Sequence, residues 1–260
     1  MPENRDSIRN TFMVAIGVAL VCSVLVSAAA VILKPLQEQN ETRYRQQIVL
    51  RVAGLYEPGA DTAAQFAAID ARIVELATGE YVDGMDPESF DMLAAASDLT
   101  TSVTIPPVED VASLKRRAKY APVYLVREGD ALEQIILPVY GPGLWSTMYG
   151  YLSVAPDGRT IRGLRFYEHA ETPGLGDQVE KDAWLAQWEG KLLYGAAGEV
   201  WIEVVRGQAP AGDAGRYQVD GMSGATLTGN GVTNLLRYWA GPHGYGPYLE
   251  TFSAGVAANE

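Results

Sequence analysis

The sequence predicts an α+β protein, with one N-terminal transmembrane helix followed by a mostly antiparallel sheet domain with flanking helices. Three observations carry that reading. Residues 11–33 hold no charged side chain, the periodicity shifts to strand-like runs near residue 120, and Val232, Leu235, Leu236 and Trp239 recur at helical spacing.

The 260 residues, 48% of them hydrophobic, are enough for a membrane segment plus a domain with its own core. A net charge of -12 without runs of Lys or Arg argues against a nucleic-acid partner. Cys22, the single cysteine, stands inside the apolar run, which excludes an intrachain disulfide or an all-cysteine metal cluster. With His169 and His243 as the two histidines, no metal site is expected.

Taking the elements in order, residues 1–10 read as a cytoplasmic tail and residues 11–33 as a retained membrane helix. At about 1.5 Å per residue the uncharged run reaches about 34 Å, enough for a hydrocarbon core of about 30 Å. It also exceeds the core of a cleaved signal peptide. Arg5 and Arg9 precede the run while Lys34, Arg43 and Arg45 follow it, so charge alone does not set the orientation. Residues 34–118 read as a stalk and helical region, with a polar helical extension over residues 36–48. Phe66, Ile69, Ile73 and Leu76 suggest one helix, and Asp86, Pro87 and Glu88 the start of another over residues 90–96. Residues 119–255 read as the sheet domain. Strands are expected over 121–126, 134–140, 147–154, 160–169 and 199–206, with Pro156, Asp157 and Gly158 as a hairpin turn.

Asp220, Gly221, Met222, Ser223, Gly224, Ala225 and Thr226 form the most informative segment. Its small residues leave the backbone open to a bulky ligand, and a helix beginning near residues 228–231 would put Thr226 beside an N-terminus that favours a phosphate. Glu171, Thr172, Pro173, Gly174, Leu175, Gly176 and Asp177 read as a rigid turn, with Asp177 as N-cap and Glu180 completing a capping box. Pattern alone sends Leu144 and Trp145 into the core. Gly221, Ser223 and Ala225 approach a nucleophile elbow but lack its last glycine, and Asn234 stands where a dinucleotide fingerprint needs its third glycine.

Asp220 to Thr226 resembles the flavinylation motif of FMN-binding domains, D-x-x-(S/T)-G-A-T. The stretch over residues 137–150, with its Gly-Pro-Gly-Leu-Trp-Ser-Thr-Met-Tyr-Gly ending, and His169-Ala-Glu-Thr-Pro-Gly-Leu-Gly176 are similar to the other signatures of the C subunit (NqrC) of the Na+-translocating NADH:quinone reductase. That resemblance implies FMN bonded through its phosphate to the Thr226 hydroxyl by a flavin transferase using FAD. It implies further cofactor contacts from Asp220, Ser223, Gly224, Ala225, Leu144, Trp145, Glu171, Thr172, Gly174, Leu175 and Gly176, and no catalytic acid or base. It also implies iron-sulfur and flavin carriers in partner subunits, a bacterial inner-membrane location with the N-terminus in the cytoplasm, and a periplasmic flavin domain. The alternatives are the G subunit of the homologous ferredoxin-linked ion-translocating complex and an assembly subunit with no redox role.

Overall fold

The computed structural model describes residues 8–257, with the side chains of the last helix described as far as residue 253. Contacts divide the chain after Arg45. The expected cytoplasmic tail therefore lies mostly outside the described residues.

Helix α1 (Ile8–Val52) contains the apolar run and the polar extension in one continuous element, with Pro35 inside it. An 18-residue window of it reaches a mean hydropathy of 2.7 with none of it buried, so this helix is long and apolar enough to cross a membrane. Its composition changes at the end. Ile48, Val49, Leu50 and Val52 are buried and belong to the second unit.

That second unit is built on a five-stranded antiparallel sheet in the order β1 (Asp70–Glu75), β4 (Tyr120–Glu128), β5 (Ala131–Pro142), β6 (Thr147–Val154), β7 (Ile161–Glu168). Alternation along β5 divides the core between the two faces. Ile135, Leu137 and Val139 join a cluster with Val232, Leu235, Leu236 and Trp239 of α5 (Thr226–Trp239), while Ile136 joins Ile48, Val49, Leu50 and Phe66 on the opposite face. The indole of Trp239 donates to the carbonyl of Tyr140 at 2.7 Å, locking α5 onto the sheet. The β6–β7 turn forms at Pro156, Asp157 and Gly158 as expected. Asp157 accepts from the N–H groups of Arg159 and Thr160 and from the Thr160 hydroxyl, and Gly158 takes a φ of 66°.

Several expected elements come out differently. Phe66 ends the short α2 (Thr62–Phe66), and Ile73 lies in edge strand β1. A spacing of four residues fits both helical and strand periods, and pairing with β4 decides it: Val74 and Leu76 face one core cluster and Ile69 the other. Because β1 belongs to the sheet, the boundary expected at residue 118 does not divide the structure; the compact unit starts at Gln46. Helix α3 (Met92–Ser97) is capped by Asp91, whose carboxylate accepts from the N–H groups of Leu93 and Ala94, while Asp86 makes a local turn with Glu88 and Ser89. It packs beside the hairpin of β2 (Ser102–Thr104) and β3 (Arg116–Ala118).

The strand expected over 199–206 shrinks to β8 (Glu203–Val204), paired in parallel with β9 (Gln218–Val219) rather than with the main sheet. Its neighbours are diverted: the N–H groups of Trp201 and Ile202 both point to the carbonyl of Leu193, and that of Val204 to the Thr233 hydroxyl. Asp177 does not cap a helix. A 3-10 turn (Gly176–Glu180) starts at Leu175 without a side-chain cap, and the following α4 (Asp182–Leu185) has Lys181 at its cap position. Asp177 instead pairs with Lys181 at 3.2 Å, and Glu180 faces His169 at 3.5 Å. Val179, Leu185 and Trp188 are buried, as their spacing suggests. Helix α6 (Gly246–Ala257) is the last of the described elements.

Candidate functional site

Helix α5 begins earlier than its apolar spacing indicates, with Thr226 as its first residue. The cap position falls to Ala225, whose side chain has nothing to offer the first-turn N–H groups. Those donors and the helix dipole are therefore available to an acceptor placed beside Thr226. The Thr226 side chain is exposed, as are Ser223 and Gly224, while Ala225 is buried.

The turn before the helix is held from below. Gly224 takes a φ of 75°. A Cβ there would come within 2.8 Å of Leu175 Cδ2, so the Thr-Pro-Gly-Leu-Gly loop rests directly on the turn. Gln178 Nε2 donates to the carbonyls of Leu175 (2.9 Å) and Ser223 (3.4 Å), joining the same two segments. Asp220, half-buried, accepts from the N–H of Ala209, while its own carbonyl accepts from the Trp184 indole. It shapes the neighbouring loop and does not line the cavity beside Thr226.

That cavity, about 290 Å³, is lined by Val204, Val205, Arg206 and Gly207 on one side and by Ser223, Gly224, Thr226 and Asn230 on the other. Its volume lies at the lower end for small-molecule clefts. Arg206 lines the same cavity as Thr226. Sequence patterning gave it no prominence because it simply ends an apolar stretch.

Leu144, Trp145 and Leu175 are not core residues. They stand 43%, 68% and 42% exposed, apolar surface left open beside the turn, and none of the three lines the cavity at Thr226. Glu171, in contrast, is buried: its Oε1 accepts from the N–H groups of both Leu144 and Trp145 at 3.0 Å. Its Oε2 accepts from the Thr228 hydroxyl at 2.5 Å. Thr172 is half-buried and its carbonyl holds the turn through the N–H groups of Leu175 and Asp177. Gly174 is exposed at a φ of 79°, and Gly176 is buried against Glu171 and Thr228. Thr228 is the residue that sequence reading passed over. Its spacing with Val232 and Leu235 already turns it inward, and a buried hydroxyl needs a partner.

The site thus combines an uncapped helix start bearing an exposed hydroxyl, a cavity shared with Arg206, and loops with exposed apolar side chains. The FMN-binding domain family matches residues 143–241, which contain all of these features. Over nearly its whole length the chain is similar to the C subunit of the Na(+)-translocating NADH-quinone reductase. The protein from Yersinia pestis is 42% identical, covering 99% of this chain and 98% of that one. Its Pseudomonas aeruginosa counterpart is 44% identical over 98% and 99%. The crystal structure of NqrC from Shewanella oneidensis superposes with a TM-score of 0.76 at 36% identity, covering 83% of this chain and 99% of that one. The chain thus belongs to the NqrC family, the C subunits of the Na+-translocating NADH-quinone reductase, and so to the components of an oxidoreductase complex. These relatives support that family rather than the ferredoxin-linked G subunit.

Proposed function

We propose that this chain is the electron-relay subunit of a reductase that couples NADH oxidation and quinone reduction to sodium export, with FMN esterified to Thr226. The observation that carries the reading is the placement of Thr226, an exposed hydroxyl at the first position of a helix whose cap residue, Ala225, cannot cap it. Formation of the tether is a displacement at phosphorus. The Thr226 hydroxyl loses its proton and bonds to the FMN phosphorus of FAD, and AMP leaves; a flavin transferase supplies the catalysis. First-turn N–H groups of α5 and the Arg206 guanidinium would neutralise the ester's remaining charge.

Leu144, Trp145 and Leu175 would wall the ring, and Ser223, Gly224, Ala225, Thr172, Gly174 and Gly176 would shape the approach to it. Asp220 and Glu171 act through the loops they hold. When bound, the flavin supplies the redox chemistry, and the protein supplies position and environment. Electron relay of this kind requires no catalytic acid, base or metal from this chain. Helix α1 would anchor the protein in a bacterial inner membrane, in contact with lipid, with its N-terminus cytoplasmic and the flavin domain on the periplasmic side. Partner subunits would carry the iron-sulfur and flavin centres at either end of the relay.

Membranes holding the complete complex with Thr226→Ala in this chain test the role. The expected result is a full set of subunits on a native gel with quinone reduction lowered at least about tenfold. An assembled variant complex that reduces quinone at the wild-type rate would show that the tethered flavin is not on the path, as a purely assembling role requires.

A further inference from the structure

We infer that Glu171 is a positioning residue whose buried carboxylate joins the Leu144–Trp145 loop to the helix that begins at Thr226. This inference rests on the proposed flavin site for its functional consequence, although the joint itself is independent of it. Each carboxylate oxygen has a separate task. Oε1 takes both backbone N–H groups of Leu144 and Trp145, and Oε2 takes the Thr228 hydroxyl, two residues along α5 from Thr226. Glu171 is 4% exposed and Thr228 1%, so the carboxylate and its hydroxyl partner are buried.

The surroundings are built around this carboxylate. A Cβ on Gly143 would collide with Oε1, and a Cβ on Gly176 would lie 2.9 Å from both the Glu171 Cβ and the Thr228 hydroxyl. Next to it, the N–H of Ala170 donates to the Ser146 hydroxyl at 2.7 Å, so the two loops are tied at adjacent residues. The backbone of Glu171 is itself fixed by donation to Nδ1 of His169 at 3.2 Å. Three sequence stretches that are far apart in the chain therefore share one buried acceptor group. Trp145, though 68% exposed, has its backbone fixed through its own N–H.

A charged carboxylate suits this task better than a neutral amide. Three donors converge on acceptor oxygens alone, whereas an amide would place its NH2 group against either the two backbone N–H groups or the threonine hydroxyl. Glutamine can keep the first pair by turning its oxygen toward the loop, and the Thr228 hydroxyl must then rotate to accept.

The test uses the full-length chain in detergent, as wild type, Glu171→Ala, Glu171→Gln and Thr228→Val. Hydrogen exchange on unflavinylated protein reads the joint directly. The Leu144 and Trp145 amides are expected to exchange at least about tenfold faster in Glu171→Ala, with Glu171→Gln restoring most of the protection. In flavinylated protein, flavin fluorescence and midpoint potential, taken per attached flavin, are expected to change in Glu171→Ala and to return toward wild type in Glu171→Gln. If Glu171→Ala does not fold, Thr228→Val takes its place. It removes one donor, and is expected to change the flavin fluorescence and potential while the amides of the sheet strands remain protected.

Unchanged Leu144 and Trp145 exchange in a folded Glu171→Ala protein would overturn the joint. Faster exchange with an unaltered flavin potential and fluorescence would overturn its positioning role. Lack of any flavin on wild type would instead count against the proposed function, leaving the exchange result to judge the joint by itself.

Discussion

Gly224 shows how much of this site depends on single backbone positions. Its φ of 75° lies in the left-handed region, and Leu175 covers the space where a side chain would go. Gly224→Ala is expected to cost about 1–2 kcal/mol, most of it from the backbone conformation since the Leu175 tip can shift. Thermal unfolding would register that loss, and the attached flavin fraction should fall with it; an unchanged melting temperature would show that the turn relaxes without penalty. Residue identity at this scale was partly legible. Thr226, Ser223 and Gly224 stood out because a small-residue turn before a helix is a local pattern. The role of Glu171 was not legible, because its partners Leu144, Trp145 and Thr228 are remote in sequence and meet it only through the fold.

Among the elements, the β6–β7 turn has a definite electrostatic signature. Burial alone would push the Asp157 carboxyl up. The Thr160 hydroxyl and N–H, then the Arg159 N–H and charge, outweigh it and hold the group below the usual carboxylate range. A depressed folded-state pKa stabilises above the unfolded value of about 3.9 and is lost as pH falls through the folded one. The stability gap between wild type and Asp157→Asn should therefore be largest near neutral pH and close below about pH 4. Denaturant titrations at both pH values measure it, and a gap that persists in acid would mean the ionised carboxylate is not what holds the turn.

Strands β4 to β7 were readable because β-branched and aromatic runs lie between strong turn residues. Edge strand β1 was not, since Ile69 and Ile73 fit two periods and only pairing with β4 distinguishes them. The segment around β8 failed for another reason: its composition is strand-like, but the hydrogen bonds of Trp201, Ile202 and Val204 go to Leu193 and Thr233, leaving only a two-residue pairing with β9.

For the whole molecule, the end of the long helix separates two functions of one element. Its apolar run is suited to lipid, whereas Ile48, Val49, Leu50 and Val52 complete a core cluster with Phe66, Val126 and Ile136. Deleting residues 1–45 should leave a folded domain that no longer partitions with membranes. Extending the deletion through residue 53 should destabilise it by several kcal/mol, at about 1.5–3 kcal/mol for each large apolar side chain removed from the core. Equal stability of the two truncations, compared by urea unfolding, would mean that the last turns of the helix do not contribute to the core.

Attachment of the electron-transfer group to Thr226 is the central claim. Intact-mass analysis after denaturation, with peptide mapping, of wild type and Thr226→Ala each co-expressed with a flavin transferase tests it most directly. An FMN-sized adduct is expected on the peptide bearing Thr226, and none on the variant. A wild-type chain without the adduct, alongside a control substrate that the same transferase does modify, would contradict it.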